Sequence, residues 1–314
     1  MKTCTKCKKE IDGGSCSLCR KEYLKNYRQA NKERLRQLNR NWRNNNKEYY
    51  KQVKYAYYCS LTGRLQELNR SAKRRAVQRK LEFDLTVDFL NQLWEIQNGK
   101  CAITGLDLII PQERNDGKAS PFSPSIDRID IKKGYTTNNV RIVCYIVNCS
   151  LHDYGLETFD RIANAYINNF VLENKWLPEK IKLNSTKQKF DRKYRESTTG
   201  IVTAIFHQCK KHAKESNLEF NLLKKDVKIF LEKKVCALTN IPFCNKLNYR
   251  SNPFRPSLDR IDCKKGYIKD NVRLVCVSVN FCLNEFGEDI FKKVCTAYLE
   301  NKSEGNLFKR ASVC

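Results

Sequence analysis

Apolar positions recur at helical spacing over residues 66–80 and 86–98, with Asn98-Gly99 closing the second stretch, and the period then changes. Residues 126–129 and 140–143 are short β-rich runs on either side of the turn-forming Lys132-Lys133-Gly134-Tyr135, and from Tyr145 the period is helical again. This pattern predicts helices around a hairpin of two short strands that runs directly into a helix. Residues 20–58 read differently. They carry Lys, Arg, Asn and Tyr without Gly, Pro or a useful apolar stripe, which predicts a solvated helix.

The hairpin pattern occurs twice. Residues 124–148, PSIDRIDIKKGYTTNNVRIVCYIVN, recur as 256–280, PSLDRIDCKKGYIKDNVRLVCVSVN, with 17 of 25 positions identical and no gap. The likeness extends upstream, where LEFDL (81–85) echoes LEFNL (218–222), and downstream, where LHDYG (151–155) matches LNEFG (283–287). The sequence therefore divides into a first unit at 66–182, a polar linker at 183–200 and a second unit at 201–314. The fold class expected is α+β and helix-rich, a tandem duplication of small ββα units.

Charge narrows the choice of partner. The chain has 60 Lys+Arg against 34 Asp+Glu, a net +26, which favours a phosphate polymer over small acidic substrates. Residues 1–60 alone hold 16 Lys+Arg against 5 Asp+Glu. No apolar run approaches the ~18 residues of a membrane helix, and the N-terminus has no hydrophobic signal region, so neither export nor membrane insertion is expected. Sixteen cysteines without a signal peptide suit thiols in a reducing, cytoplasmic setting, where metal binding is favoured over disulfides.

Cys4 and Cys7, and then Cys16 and Cys19, form two pairs spaced as in zinc knuckles, with Gly13-Gly14 between them to turn the chain. Four thiolates can surround Zn²⁺ tetrahedrally, and a knot of residues 1–20 without a core would draw its stability from that metal. The following stretch, 21–65, is either a solvated linker or a basic arm lying along phosphates. Interleaved Tyr23, Tyr27, Tyr49 and Tyr50 and the cations Arg28, Arg36, Arg40 and Arg43 favour the arm, since like charges on one helix repel unless a polyanion neutralises them.

Within each repeat, strand geometry puts Asp127 and Arg128 on opposite faces and Arg128 and Asp130 on one. Asn148 falls near the start of the following helix with His152 one turn later, as do Asn280 and Asn284. A hard divalent cation takes oxygen ligands, and an Asp carboxylate with an Asn amide oxygen would supply two, leaving room for water and phosphate. The same residues could instead merely cap turns.

Asp127-Arg128-Ile129, Asn139 and Asn148, repeated as Asp259-Arg260-Ile261, Asn271 and Asn280, resemble the HNH, or His-Me finger, endonucleases and their ββα-metal motif. A branch of restriction enzymes in that family also has Arg in place of the usual His and a cysteine zinc knot in front. The resemblance implies Mg²⁺ or Mn²⁺ on Asp127 and Asn148 and on Asp259 and Asn280. It implies phosphate clamping by Arg128 and Arg260, and a site lined by Asn139, His152, Asn271 and Asn284. Arg cannot serve as a general base, which leaves Asp130 and Asp262, or solvent, to take the proton of water. A salt bridge from Arg128 to Asp130 that only stiffens the hairpin is the alternative. Lys133, Arg141, Lys265 and Arg273 would contact double-stranded DNA. Each repeat keeps one cysteine of each of two pairs, Cys101 with Cys144 and Cys236 with Cys276, too few for a second structural zinc.

The expected function is a metal-dependent DNA endonuclease, site-specific, of homing or restriction type. Two units in one chain would make it a monomer able to cut both strands. A second reading is a DNA-binding module whose units have lost catalysis, and a third is RNA binding.

Overall fold

A computed structural model of the chain describes residues 2–4, 7, 10–11, 16–110, 120–170, 185–245 and 252–306. The chain divides into two compact bodies, residues 1–58 and 59–314. Leu65, the last residue of the stretch expected as the basic arm, is a buried core residue of the second body. Among the described residues no helix is long and apolar enough to cross a membrane.

In the first body a two-residue strand, β1 (Lys2–Thr3), pairs antiparallel with β2 (Glu10–Ile11). The expected Gly13-Gly14 turn lies outside the described residues. Three helices follow where one was expected: α1 (Ser17–Ala30), α2 (Lys32–Asn45) and α3 (Lys47–Tyr58). The interruptions fall at Asn31 and Asn46. Each of these amides turns back on the carbonyl four residues earlier, Tyr27 O at 3.0 Å and Trp42 O at 2.9 Å, and so competes with the helix backbone. Helices α2 and α3 bury no residue, in keeping with their solvated pattern.

The second body opens with α4 (Leu61–Arg79), whose N-cap Ser60 accepts a hydrogen bond from Gly63 N, and α5 (Val87–Ile96), capped likewise by Thr86. β3 (Pro124–Arg128) and β4 (Val140–Cys144) form an antiparallel hairpin that runs directly into α6 (Tyr145–Leu151) and then α7 (Gly155–Ile167). After α8 (Thr186–Glu196), within the stretch read as a linker, the order returns. It runs α9 (Thr198–Glu215), α10 (Lys224–Glu232), β5 (Pro256–Arg260), β6 (Val272–Cys276), α11 (Val277–Leu283) and α12 (Gly287–Ser303). The two hairpins share one register: Asp127 faces Arg141 and Asp259 faces Arg273. The architecture is α+β, helices around small two-stranded sheets.

A single apolar core joins both halves of this body. Ile146 and Val147 of α6, Phe159 and Ile162 of α7, Val279 and Leu283 of α11 and Phe291 and Tyr298 of α12 belong to it. A smaller cluster lies where α9 and α10 pack on the second hairpin, through Ile205, Val227, Leu258 and Leu274. Where the halves meet, His152 stacks on Phe281 with ring centroids 4.4 Å apart, and the Asn284 side chain reaches the Cys149 thiol. His152 and Asn284 are the C-cap residues of α6 and α11, with φ of 43° and 49°. They leave the helix there instead of continuing one turn along its face, and His152 is committed to the contact between the halves.

Each hairpin is pinned to its preceding segment by a close backbone approach. Tyr135 N donates to Glu82 O and Tyr267 N to Glu219 O, both at 2.9 Å, in isolated parallel bridges Phe83–Tyr135 and Phe220–Tyr267. Only glycine fits immediately before each tyrosine. A Cβ on Gly134 would lie 2.2 Å from Glu82 O, and one on Gly266 2.1 Å from Glu219 O.

Candidate functional site

The site residues converge because strand register and helix start are fixed together. Asp259, near the end of β5, pairs across the hairpin with Arg273 Nε at 2.9 Å; Asp127 meets Arg141 Nε at 2.8 Å. Burial pushes both carboxyls above the usual carboxylate range, and the guanidinium opposite opposes the shift without cancelling it. Such a carboxylate has much to gain from a second cation. The two arginines, expected to reach DNA, are instead turned inward, with side chains only 15% and 16% exposed. Arg273 has a further carboxylate partner, Glu288, at 2.6 Å.

Asn280 donates from Nδ2 to Ser257 Oγ at 2.9 Å and to Leu258 O at 3.2 Å; Asn148 does the same to Ser125 Oγ and Ile126 O at 2.7 and 3.1 Å. A carbonyl can only accept, so the nitrogen must face the strand, leaving Oδ1 as the outward acceptor in both halves.

Arg260 Nη1 donates to Cys263 O and Lys265 O at 2.7 and 3.1 Å, and Arg128 Nη1 to Ile131 O and Lys133 O at 2.8 and 3.0 Å. Each guanidinium also lies over the ring of the Lys-Gly-Tyr tyrosine, 5.2 Å from Tyr267 and 5.1 Å from Tyr135. The arginines thus stiffen the hairpins, but through turn carbonyls and not through Asp130. Asp130 and Asp262 cap the same turns, each accepting from the backbone two residues on at 2.9 Å, which ties down the carboxylates expected to act on water. Asn139 and Asn271 bridge the turn: their oxygens accept from Asp130 N and Asp262 N, and their nitrogens donate to Gly134 O and Gly266 O. Their role is to shape the loop. Lys133 and Lys265 stand exposed beside Asp130 and Asp262 at 3.9 and 3.8 Å.

In the second half a cavity of about 270 Å³ gathers Asp259, Arg260, Tyr267, Asn280 and Asn284. A further cavity of about 250 Å³ shares Asp259, Arg260 and Asn284 and adds Asp262 and Arg273. The first cavity also contains a residue that sequence reasoning did not select: His212, from α9, whose Nδ1 lies 3.3 Å from Tyr267 Oη. The signal was present in the repeat, since Arg75 occupies the matching place before LEFDL that His212 occupies before LEFNL.

In the N-terminal body Cys4, Cys7, Cys16 and Cys19 lie together, with all four sulfurs within 4.8 Å of one another. Cys4 Sγ and Cys19 Sγ are 3.8 Å apart and Cys7 Sγ and Cys16 Sγ 3.5 Å, close to the ~3.8 Å edge of a tetrahedron with Zn–S of about 2.3 Å. The cluster is compatible with a structural zinc site. Among the described residues no other group of three or more His, Cys, Asp or Glu could hold a metal ion. Cys101, Cys144, Cys236 and Cys276 are buried in the core.

Arg28, Arg36, Arg40 and Arg43 are all exposed on α1 and α2. Tyr23, Tyr27, Trp42 and Tyr49 are exposed among them, and Arg43 lies 5.0 Å over the Tyr50 ring. Compared with protein-family models, with curated proteins and with solved structures, the chain matches none.

Proposed function

We propose that the chain is a metal-dependent endonuclease of the HNH type, hydrolysing phosphodiester bonds of double-stranded DNA with tandem ββα-metal units behind a zinc knot and a basic arm. The observation that carries this reading is the convergence of Asp259 from a strand, Asn280 from the next helix and Arg260 on one cavity of about 270 Å³. The donor set fits a hard cation. One costly buried carboxylate and one amide oxygen aimed away from its own hydrogen bonds suit Mg²⁺ or Mn²⁺, with water and phosphate completing the coordination. Asp127 and Asn148 repeat the set in the first unit.

When bound, the cation supplies charge neutralisation at the scissile phosphate and the departing oxygen. Arg260 holds positive charge beside the same cavity, where a phosphoryl oxygen would gain from it. The exposed cations and tyrosines of α1–α3 suit the sequence-independent part of DNA binding, phosphate contacts with stacking between them. The four cysteines hold Zn²⁺ and thereby the N-terminal knot.

The test is cleavage of supercoiled plasmid DNA by the full chain with and without Mg²⁺ or Mn²⁺, alongside Asp259→Ala. Conversion to nicked or linear product that needs both the metal and Asp259 supports the reading. Tight duplex binding without cleavage under any divalent cation supports the binding-module alternative, which the turn-holding role of Arg128 and Arg260 favours.

A further inference from the structure

The two units differ in what meets the tyrosine of each Lys-Gly-Tyr turn. In the first, Arg75 Nε donates to Tyr135 Oη at 3.0 Å; in the second, His212 Nδ1 lies 3.3 Å from Tyr267 Oη. The positions are equivalent, Arg75 on α4 and His212 on α9, each six residues before the Leu that opens the Leu-Glu-Phe stretch. The chemistry is not equivalent. A guanidinium has no lone pair with which to accept a proton, whereas a neutral imidazole has one, on its unprotonated nitrogen.

Of the three histidines, His152 is stacked on Phe281 and His207 lies against Phe206. His212 lines the cavity that holds Asp259, Arg260 and Asn280. Its contact with Tyr267 orients the ring. In the tautomer in which Nδ1–H donates to the Tyr267 hydroxyl oxygen, as Arg75 Nε donates to Tyr135 Oη, the Tyr267 contact holds the ring in place. Nε2 then carries the lone pair.

We infer that His212, oriented by Tyr267, is the proton acceptor for the attacking water in the second unit, and that the first unit, with Arg75 in that place, lacks one. This rests on the endonuclease reading above. In the step, the water oxygen forms a bond to phosphorus while its proton passes to Nε2. The bond from phosphorus to the 3′ oxygen breaks, and that oxygen takes a proton from solvent. No redox partner or further reactant is needed. The chain is accordingly a nicking enzyme: the second unit cuts one strand while the first grips the duplex.

The experiment uses the full chain, Mn²⁺ and a supercoiled plasmid pool with a randomised insert. His212→Arg installs the partner that Tyr135 already has, so the tyrosine keeps its donor; His212→Gln is the second variant. Both are expected to keep the parent's melting temperature, DNA affinity and Mn²⁺ affinity, and to nick at least about a hundredfold more slowly. Free imidazole is expected to restore part of the rate to His212→Gly. Arg75→His is expected to turn the nicked product into linear DNA, and persistence of the nick overturns the account of the first unit. Nicking by His212→Arg and His212→Gln within about threefold of the parent overturns the inference and leaves the endonuclease reading intact, provided Asp259→Ala still abolishes cutting. A parent that cuts nothing, or an Asp259→Ala variant that cuts as fast as the parent, overturns both.

Discussion

Substituting Gly266 by Ala tests how the candidate site is held. The new Cβ would stand 2.1 Å from Glu219 O and 2.7 Å from its carbonyl carbon, against an ordinary contact of at least 3.4 Å, so the two backbones must part by more than an ångström. No rotamer relieves a clash between Cβ and backbone. The separation breaks Tyr267 N to Glu219 O and Asn221 N to Tyr267 O, bonds of 2.9 and 3.2 Å. At about 1 kcal/mol each, with about 1–3 kcal/mol of overpacking, the cost is about 3–5 kcal/mol. For a body of this size that is a fall in Tm of roughly 6–20 °C by calorimetry, and urea titration should agree. Gly134→Ala makes the same clash with Glu82 O at 2.2 Å and should cost as much. The two should part company in function. Only Gly266→Ala displaces Tyr267 from His212, so at a temperature where both are folded it alone should slow nicking by about tenfold or more. A Tm within about 2 °C of the parent for either variant would refute the reasoning, since the backbone would then have absorbed the Cβ at almost no cost.

Removing the carboxylate from each hairpin pair should have unequal effects on stability. Asp127→Ala strips Arg141 of its one ion pair among the described residues and should cost about 3–5 kcal/mol by denaturant titration; Asp259→Ala leaves Arg273 with Glu288 and should cost about 1–2 kcal/mol less. Equal losses would mean that Glu288 does not compensate. Elemental analysis should return one zinc per chain, lost in Cys16→Ser without a shift in the thermal transition of residues 59–314; two or more tightly held ions would place metal on the core cysteines. Deleting residues 1–58 should weaken DNA binding and flatten its dependence on salt by about 0.9 per phosphate contact removed, and an unchanged slope would reduce α1–α3 to a tether.

Much of this was legible in the chain because the duplication repeats every signal. The strand starting near Ile126 and the helix starting at Tyr145 fall within two residues of their places, since a Lys-Lys-Gly-Tyr turn leaves little freedom in register. The cysteine cluster follows from spacing alone. What sequence missed depends on distance along the chain or on local competition. His212 precedes Asp259 by 47 residues and reaches the cavity only because α9 packs on β5, a tertiary fact. The arginines opposite Asp127 and Asp259 looked like surface cations, because strand alternation does not say which charges pair across a hairpin. The basic stretch read as one helix because Asn31 and Asn46 differ little from its many other polar residues until their amides turn back on the backbone.

The contacts between the halves of the second body are exchanged. His152 meets Phe281 and Asn284 meets Cys149, while 152 is the counterpart of 284 and 149 of 281. That reciprocity belongs to an isologous interface, the kind two identical subunits make about a twofold axis. In a true homodimer every substitution appears on both sides and must suit its own mirror image. A fused pair escapes that condition, and an aromatic stack has replaced one copy of the contact while a polar one occupies the other. On the endonuclease reading proposed above, the same freedom would let one half give up chemistry and keep its grip without disabling its neighbour, and would let the two halves follow unlike base sequences where a symmetric dimer would be bound to a palindrome.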